Sequence, residues 1–302
     1  MNLALIGYGE VGRILAEDLR AGGHAVIAYD LKLGSADARS LRAHALEHGV
    51  TLADSHAHAV QQADLVVSAV TASQTVAAAE ACAGGLREGS IFLDLNSASP
   101  GAKLRAAEQV TRGGGRYIEG AVMTAVPPHR IKVPLLVGGP DADAARPLLG
   151  ELGFAATLAS GRLGVASATK MCRSVIVKGL EAMVIESFTA ARYFGVEEAV
   201  LASLRETFPG LEWDKQASYF FQRVIEHGRR RAEEMREVAV TVSEADLEPW
   251  SATATAERQA WVSALADEGV FGVRGAPGFA RSPDWRIEAD RILEHSHASR
   301  ED

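Results

Sequence analysis

Three glycines within six residues constrain this chain more than any other feature. Gly7, Gly9 and Gly12 form Gly-x-Gly-x-x-Gly. They follow a short apolar run, Leu3, Ala4, Leu5 and Ile6, of the kind a buried parallel strand uses. Val11, Ile14, Leu15 and Leu19 continue at helical spacing, and Gly22 and Gly23 stop the helix. Ala25 to Tyr29 then read as a second strand, with Asp30 at its end. In this order Gly7 permits the tight turn, Gly9 lets the backbone approach a pyrophosphate, and Gly12 packs the helix closely on the strand. Asp30, 23 residues after Gly7, is placed to accept hydrogen bonds from an adenosine ribose. The expected ligand is a dinucleotide, held by Gly7, Tyr8, Gly9, Glu10, Val11, Gly12 and Asp30.

The next segments repeat the alternation. Residues 35–48 are polar and alanine-rich, fitting a helix or an ordered connection, and 51–53 form a short third strand. Ser55 or Asp54 caps the helix that leads to Gln62. Leu65 to Val70 is a fourth apolar strand, and Thr71 ends it at the edge where open α/β sheets bind ligands. Residues 73–83 return as a helix, and 91–94 are another strand. It runs into DLNSASP, 94–100, where Asn96, Ser97 and Ser99 either face a ligand or cap the helix after Pro100. Strands at 116–121 and 133–138 are joined by MTAVPPHR, and the alternating part ends near Leu158. The expected fold is a Rossmann-type α/β domain with a mostly parallel sheet, residues 1–162.

From 163 the character changes to all-α, and residues 163–302 form the second expected domain, for substrate binding and dimerisation. Ala166 to Phe194 contains no proline and is apolar at Met171, Val175, Leu180, Val184 and Phe188. Such a helix is about 43 Å long, too long for one small domain to cover unaided, so a homodimer is expected. Residues 197–207, 213–240 and 251–268 also read as helices, and a short polar helix falls near 285–294.

Composition enters as a set of exclusions. A net charge of −8 over 302 residues argues against nucleic acid or an anionic membrane as partner. No apolar run is long enough to span a bilayer, and no leader pattern opens the chain, so a cytoplasmic location is expected. The two cysteines, Cys82 and Cys172, read as free thiols, and no Cys/His group has metal-ligand spacing, so no metal is expected.

Lys170 is the ionisable group of greatest chemical interest. It ends GVASATK at the start of the long helix, where small residues let another surface or a cofactor come close. Beside a nicotinamide, a lysine acts as general acid to a carbonyl or general base to an alcohol. At this point the sequence resembles the β-hydroxyacid dehydrogenases, which include 3-hydroxyisobutyrate, tartronate semialdehyde and 6-phosphogluconate dehydrogenases. The resemblance rests on LIGYGEVGRILAEDLRAGGHAVIAYD, on DLNSASPG, similar to the family's Asp-x-Ser-Thr-x-x-Pro segment, and on GVASATKMCRS, similar to Gly-x-Gly-x-x-x-Lys-x-x-x-Asn. The helical half is similar to that of some phosphogluconate dehydrogenase-like proteins.

The resemblance implies Lys170 as the catalytic acid/base, Val70 and Thr71 near the nicotinamide, and Asn96 on the cofactor side. The family's asparagine four residues after the lysine is Ser174 here, and its Ser-Gly-Gly loop falls at Met123, Thr124 and Ala125. The family's usual carboxylate contacts are not reproduced there, so the substrate need not be a simple β-hydroxyacid; Met123, Thr124 and Ser174 are the expected substrate contacts, with His227 and Arg231 as sources of positive charge. The expected activity is NAD(P)-dependent hydride transfer at a CH–OH group of a small hydroxy substrate. Asp30 favours NAD because a carboxylate repels a 2′-phosphate, while Lys32 and Arg39 leave NADP open. The alternatives are an imine reductase, against which the retained Lys170 weighs, and a non-catalytic NAD(H)-binding redox sensor.

Overall fold

The structure, a computed structural model, describes residues 1–36 and 38–301. Two compact units divide it, Met1–Met171 and Cys172–Asp302. In chain order the first contains β1 (Asn2–Ile6), α1 (Glu10–Ala21), β2 (Ala25–Tyr29), α2 (Ala38–Glu47), β3 (Thr51–Leu52), α3 (His56–Val60), β4 (Leu65–Ser68) and α4 (Thr75–Ala83). Then come β5 (Ile91–Asp94), α5 (Pro100–Arg112), β6 (Arg116–Val122), α6 (Val126–His129), β7 (Leu135–Gly138), α7 (Ala142–Glu151) and β8 (Ala156–Ser160). The long helix α8 (Val165–Phe194) begins in this unit and continues in the second.

The strands form one sheet in the order β3-β2-β1-β4-β5-β6-β7-β8. Neighbours are parallel except β6 and β7, which run antiparallel. The first six strands follow the doubly wound order, and the chain reverses direction of travel across the sheet between β1 and β4. β1, β4 and β5 are buried along almost their whole length, which is why they read as unbroken apolar runs. One core packs Leu3, Leu5, Leu15, Leu19, Val67 and Leu93 together, and the other packs Ile6, Val66, Ala79, Cys82, Phe92 and Val110.

The structure adds two details. The segment joining the strands at 116 and 133 is a turn of helix, α6, followed by a 3-10 turn at Arg130–Lys132. Arg130 has φ 54° there, and its guanidinium is tied down to Glu17 and Asp18 of α1 at 2.7 and 2.8 Å. The division expected after residue 162 falls at the turn before α8, whereas the compact units part at Met171, two turns into that helix.

The second unit is all helical: the rest of α8, then α9 (Glu197–Thr207), α10 (Trp213–Ser243), α11 (Trp250–Asp267) and α12 (Trp285–Glu301). Its core gathers Ile185, Phe188, Trp213, Phe221, Ile225, Val262, Phe271 and Trp285. α10 and α11 approach closely at Gly228, where a Cβ would lie 2.7 Å from the Gln259 carbonyl oxygen. Among the described residues no helix is long and apolar enough to cross a membrane.

Candidate active site

The site is built on the carboxyl ends of parallel strands, beginning with the glycine turn after β1. Gly7 has φ 92°, and a Cβ there would lie 2.4 Å from the Ala69 carbonyl oxygen, so the turn after β1 and the end of β4 touch backbone to backbone. A Cβ on Gly12 would lie 2.1 Å from the Gly7 carbonyl oxygen, which fixes α1 hard against the turn. Gly9 differs from both: its missing Cβ faces no atom within 4 Å. Two glycines serve internal packing and one leaves an open approach. Gly9 is also the cap of α1 and offers no side-chain acceptor to the first amides of the helix. An anion fits that position, since the partial positive charge of a helix N-terminus lies there. The residues present therefore fit a dinucleotide.

Asp30 has a second task that the sequence did not reveal. Its Oδ2 accepts from the Tyr8 amide at 2.7 Å and its Oδ1 from the Lys32 amide at 2.9 Å. The carboxylate thus braces the glycine turn from the end of β2, and each oxygen retains a lone pair. Tyr8 itself is fully buried, with its hydroxyl 2.8 Å from His44 Nδ1, and burial pushes its pKa up to about 12. Glu10 and Val11 open α1; Glu10 is exposed, while Val11 faces a small apolar cavity lined also by Leu15, Leu95 and Val122.

The segment after β5 divides its polar residues among three neighbours. Asn96 is buried, accepts from the Val70 amide at 2.7 Å and donates to Ser68 Oγ at 3.0 Å. It therefore fixes the backbone where Val70 and Thr71 leave β4. Ser97 Oγ accepts from Lys170 Nζ at 2.5 Å. Ser99 caps α5, accepting from the Ala102 amide at 3.2 Å. Ser99 takes the capping role at this segment, Asn96 bonds to the end of β4, and Ser97 meets Lys170.

Behind it lies a buried charge pair absent from the sequence reading. Lys103, on α5, is fully buried, with Nζ 2.9 Å from Asp94 Oδ1 and 2.9 Å from the Asp94 carbonyl oxygen. Tyr117 donates to the other Asp94 oxygen at 2.5 Å, and burial beside that carboxylate raises its pKa well above the ordinary range. A helical lysine at an otherwise apolar position is the signal that was available, but nothing local shows that Asp94, nine residues earlier, is buried with it.

Lys170 is set by the start of α8. The fully buried Glu119, on β6, accepts from the Ala166 amide at 2.8 Å and from Ser167 Oγ at 3.0 Å. A carboxylate at that helix N-terminus is stabilised by the macrodipole. Room for it comes from Gly138, its cross-strand partner, where a Cβ would lie 2.4 Å from Glu119 Oε1. Lys170 follows one turn after Ala166, half-buried, with Ser97 under its ammonium group.

Met123 and Thr124 follow the carboxyl end of β6. The Met123 amide donates to the Pro134 carbonyl at 2.9 Å, and Thr124 is exposed. The other three expected substrate residues lie in the helical unit. Ser174 is buried on α8, and His227 is half-buried on α10. Burial, together with Arg230, Arg223 and Arg231, holds the His227 pKa below its ordinary value against the pull of Glu226. Arg231 is buried and already ion-paired with Glu181 of α8, while Lys178 pairs with Glu234 at 2.5 Å. Burial lowers the Lys178 pKa and raises that of Glu181, each opposed by its partner.

Residues 2–161, more than half of the chain, match the family described as the NAD binding domain of 6-phosphogluconate dehydrogenase. The chain belongs to this family. Its cofactor is NAD(P). Residues 191–262 match a domain of unknown function, DUF1932. An uncharacterized 28.5 kDa protein of Methanothermus fervidus is 25% identical over 252 residues, 82% of this chain and 94% of that one. The mitochondrial 3-hydroxyisobutyrate dehydrogenase of Drosophila melanogaster is 24% identical over 217 residues, and the match covers 70% of this chain but only 65% of that enzyme. A conserved hypothetical protein of Sinorhizobium meliloti has a solved structure 37% identical to this chain, with a TM-score of 0.75 over 96% of each. The fold is shared with the 3-hydroxyisobutyrate dehydrogenase of Mycobacterium tuberculosis, at a TM-score of 0.71 and 18% identity over 96% of this chain and 98% of that one.

Proposed function

We propose that this protein is an NAD(P)-dependent dehydrogenase or reductase, with NAD favoured, acting at a CH–OH group of a small hydroxy substrate, hydroxyacid-like or another secondary or primary alcohol, with Lys170 as general acid/base. The observation that carries the reading is the placement of Lys170. Its ammonium sits on Ser97, in the segment after β5 whose Asn96 fixes the end of β4, and its helix is anchored by the buried Glu119. NAD(P), when bound, supplies the hydride acceptor or donor. Gly9 and the start of α1 would hold its pyrophosphate, Asp30 its ribose, and Val70, Thr71 and Asn96 the wall nearest the reacting end. Lys170 takes the hydroxyl proton in oxidation and returns it to the oxygen in reduction, and its positive charge stabilises oxyanion character at that oxygen. Ser97 orients the ammonium group.

Met123, Thr124, Ser174 and His227 are the proposed substrate contacts, and Arg231, held by Glu181, contributes through its field. The dehydrogenases among the relatives support the reaction class. The retained lysine supports an alcohol rather than an imine as the reacting group. We further propose a cytoplasmic homodimer: Ile176 and Met183, seven residues apart on α8, are 72% and 62% exposed.

The test is a nicotinamide-absorbance screen of hydroxyacids, polyols, aryl alcohols and cyclic amines with NAD and NADP, run beside Lys170→Ala. Loss of general acid/base help lowers turnover about 10²–10⁴-fold while cofactor affinity stays near wild type. Near-wild-type turnover in the variant sinks the lysine assignment. Turnover on cyclic amines alone favours imine chemistry, and a clear preference for NADPH overturns the NAD reading.

A further inference from the structure

The histidine spacing in the sequence gave no reason to expect a metal, yet the fold assembles a ligand set from two helices. His44 on α2 and His48, one turn later at the end of that helix, stand at i and i+4; the His48 amide still donates to the His44 carbonyl at 3.1 Å. Their rings are 4.4 Å apart between centroids. Glu17 reaches the same point from α1, with Oε1 2.9 Å from His44 Nε2. One ligand atom from each of the three lies within 4.8 Å of the other two, and all three residues are half-buried. Among the described residues it is the only group of three with that property.

We propose that Glu17, His44 and His48 form a binding site for a divalent transition metal, zinc first, on the outer side of the dinucleotide-binding half of the sheet. Two imidazoles and one carboxylate are a donor set that zinc accepts, with a fourth position left for water. In a tetrahedral zinc site, neighbouring ligand atoms stand about 3.3 Å apart, given bonds of about 2.0–2.2 Å. The Glu17–His44 pair at 2.9 Å therefore has to open by about 0.4 Å, and His48 has to close by a side-chain rotation.

Two further contacts orient the ligands. Tyr8 OH lies 2.8 Å from His44 Nδ1, so the ring is held by one nitrogen and offers the other. Such an outer hydrogen bond to a metal-ligating histidine fixes its tautomer and orientation. Arg130 Nη2 holds Glu17 Oε2 at 2.7 Å, leaving Oε1 for the cation. In the Nε2–H tautomer His44 donates to Glu17 Oε1 and accepts from Tyr8 OH at Nδ1; when the cation takes Nε2 the ring proton passes to Nδ1, and Tyr8 turns from donor to acceptor. Because Tyr8 is the middle residue of Gly7-Tyr8-Gly9, the site would tie α1 and α2 together under the glycine turn.

The experiment is direct metal titration of the full, tag-free protein after chelator treatment, followed by calorimetry with Zn(II) and by visible absorption with Co(II). Wild type should bind one equivalent in the low micromolar range, with Co(II) bands of a low-coordinate N/O site, and Zn(II) should raise Tm by several degrees. His48→Ala and Glu17→Gln should each lose at least tenfold in affinity, about 1.4 kcal/mol. Tyr8→Phe should weaken binding about 10–100-fold. His48 and Glu17 stand on helix surfaces, and thermal unfolding without metal reports whether their variants are folded. Absence of saturable binding in wild type, or binding left unchanged in both His48→Ala and Glu17→Gln, overturns the proposal.

Discussion

Removing the carboxylate of Glu119 is the sharpest test of how the site is held. The group is fully buried, and it meets the first turn of α8 through the Ala166 amide at 2.8 Å and Ser167 Oγ at 3.0 Å. In Glu119→Ala the Ala166 amide is left without its acceptor, at about 1–3 kcal/mol for a buried donor. Loss of a negative charge from a helix N-terminus adds about 0.3–2 kcal/mol. Ser167 keeps a second acceptor, the Gly164 carbonyl at 3.1 Å, so its hydroxyl adds little. The expected loss is about 2–4 kcal/mol. Glu119→Gln keeps the shape and the acceptor facing Ala166 and loses only the charge, about 1 kcal/mol. Urea unfolding measures both. Turnover should fall with stability in Glu119→Ala, because Lys170 lies one turn beyond Ala166, while cofactor affinity is retained. A Glu119→Ala variant within about 0.5 kcal/mol of wild type refutes the reasoning, since that is the effect of an ordinary surface substitution. So does a glutamine variant as unstable as the alanine one, because the charge would then be the whole effect.

Two further outcomes follow from buried and exposed residues described above. Lys103→Met leaves Asp94 as an uncompensated buried charge and should destabilise by about 3–5 kcal/mol, whereas Lys103→Met with Asp94→Asn should recover part of that loss; urea unfolding of both decides, and equal instability would mean that packing rather than charge is at issue. Sedimentation at micromolar concentration should give twice the 32.0 kDa chain mass, and Ile176→Asp should shift the protein towards monomer while leaving it folded; a wild-type monomer contradicts the dimer.

The parts of this fold legible in the sequence are those fixed by neighbours along the chain. The positive φ of Gly7 and the contact of Gly12 with the Gly7 carbonyl are local demands, and the order of strand, turn, helix and strand is written within residues 2–30. The helical half is legible for the same reason: α9 spans Glu197–Thr207 as its pattern implies, and α10 and α11 differ from theirs by at most three residues. What escapes is pairing across distance. Glu119 sits in a strand where alternation makes a polar residue ordinary, and only the antiparallel partner Gly138 and the far-off Ala166 give it meaning. Lys103 and Asp94 lie on consecutive elements, but nothing local says that both are buried. Glu17 meets His44 only because α1 and α2 lie side by side. The reversal between β6 and β7 is likewise invisible in two apolar runs joined by a Pro-Pro segment, since either direction suits the pattern.

The division of labour in the segment after β5 sets terms for redesign. Asn96 is committed to β4, Ser97 to Lys170 and Ser99 to α5, so three polar side chains within four positions answer to three different elements. An aspartate at 96 would lose the donor that Ser68 accepts, and an alanine at 99 would uncap a helix. A library meant to change the proposed substrate therefore gains little from randomising 96–99, where most variants lose the frame first. Among the described residues, Met123 and Thr124 make no side-chain hydrogen bond to another element, so variation is better placed there.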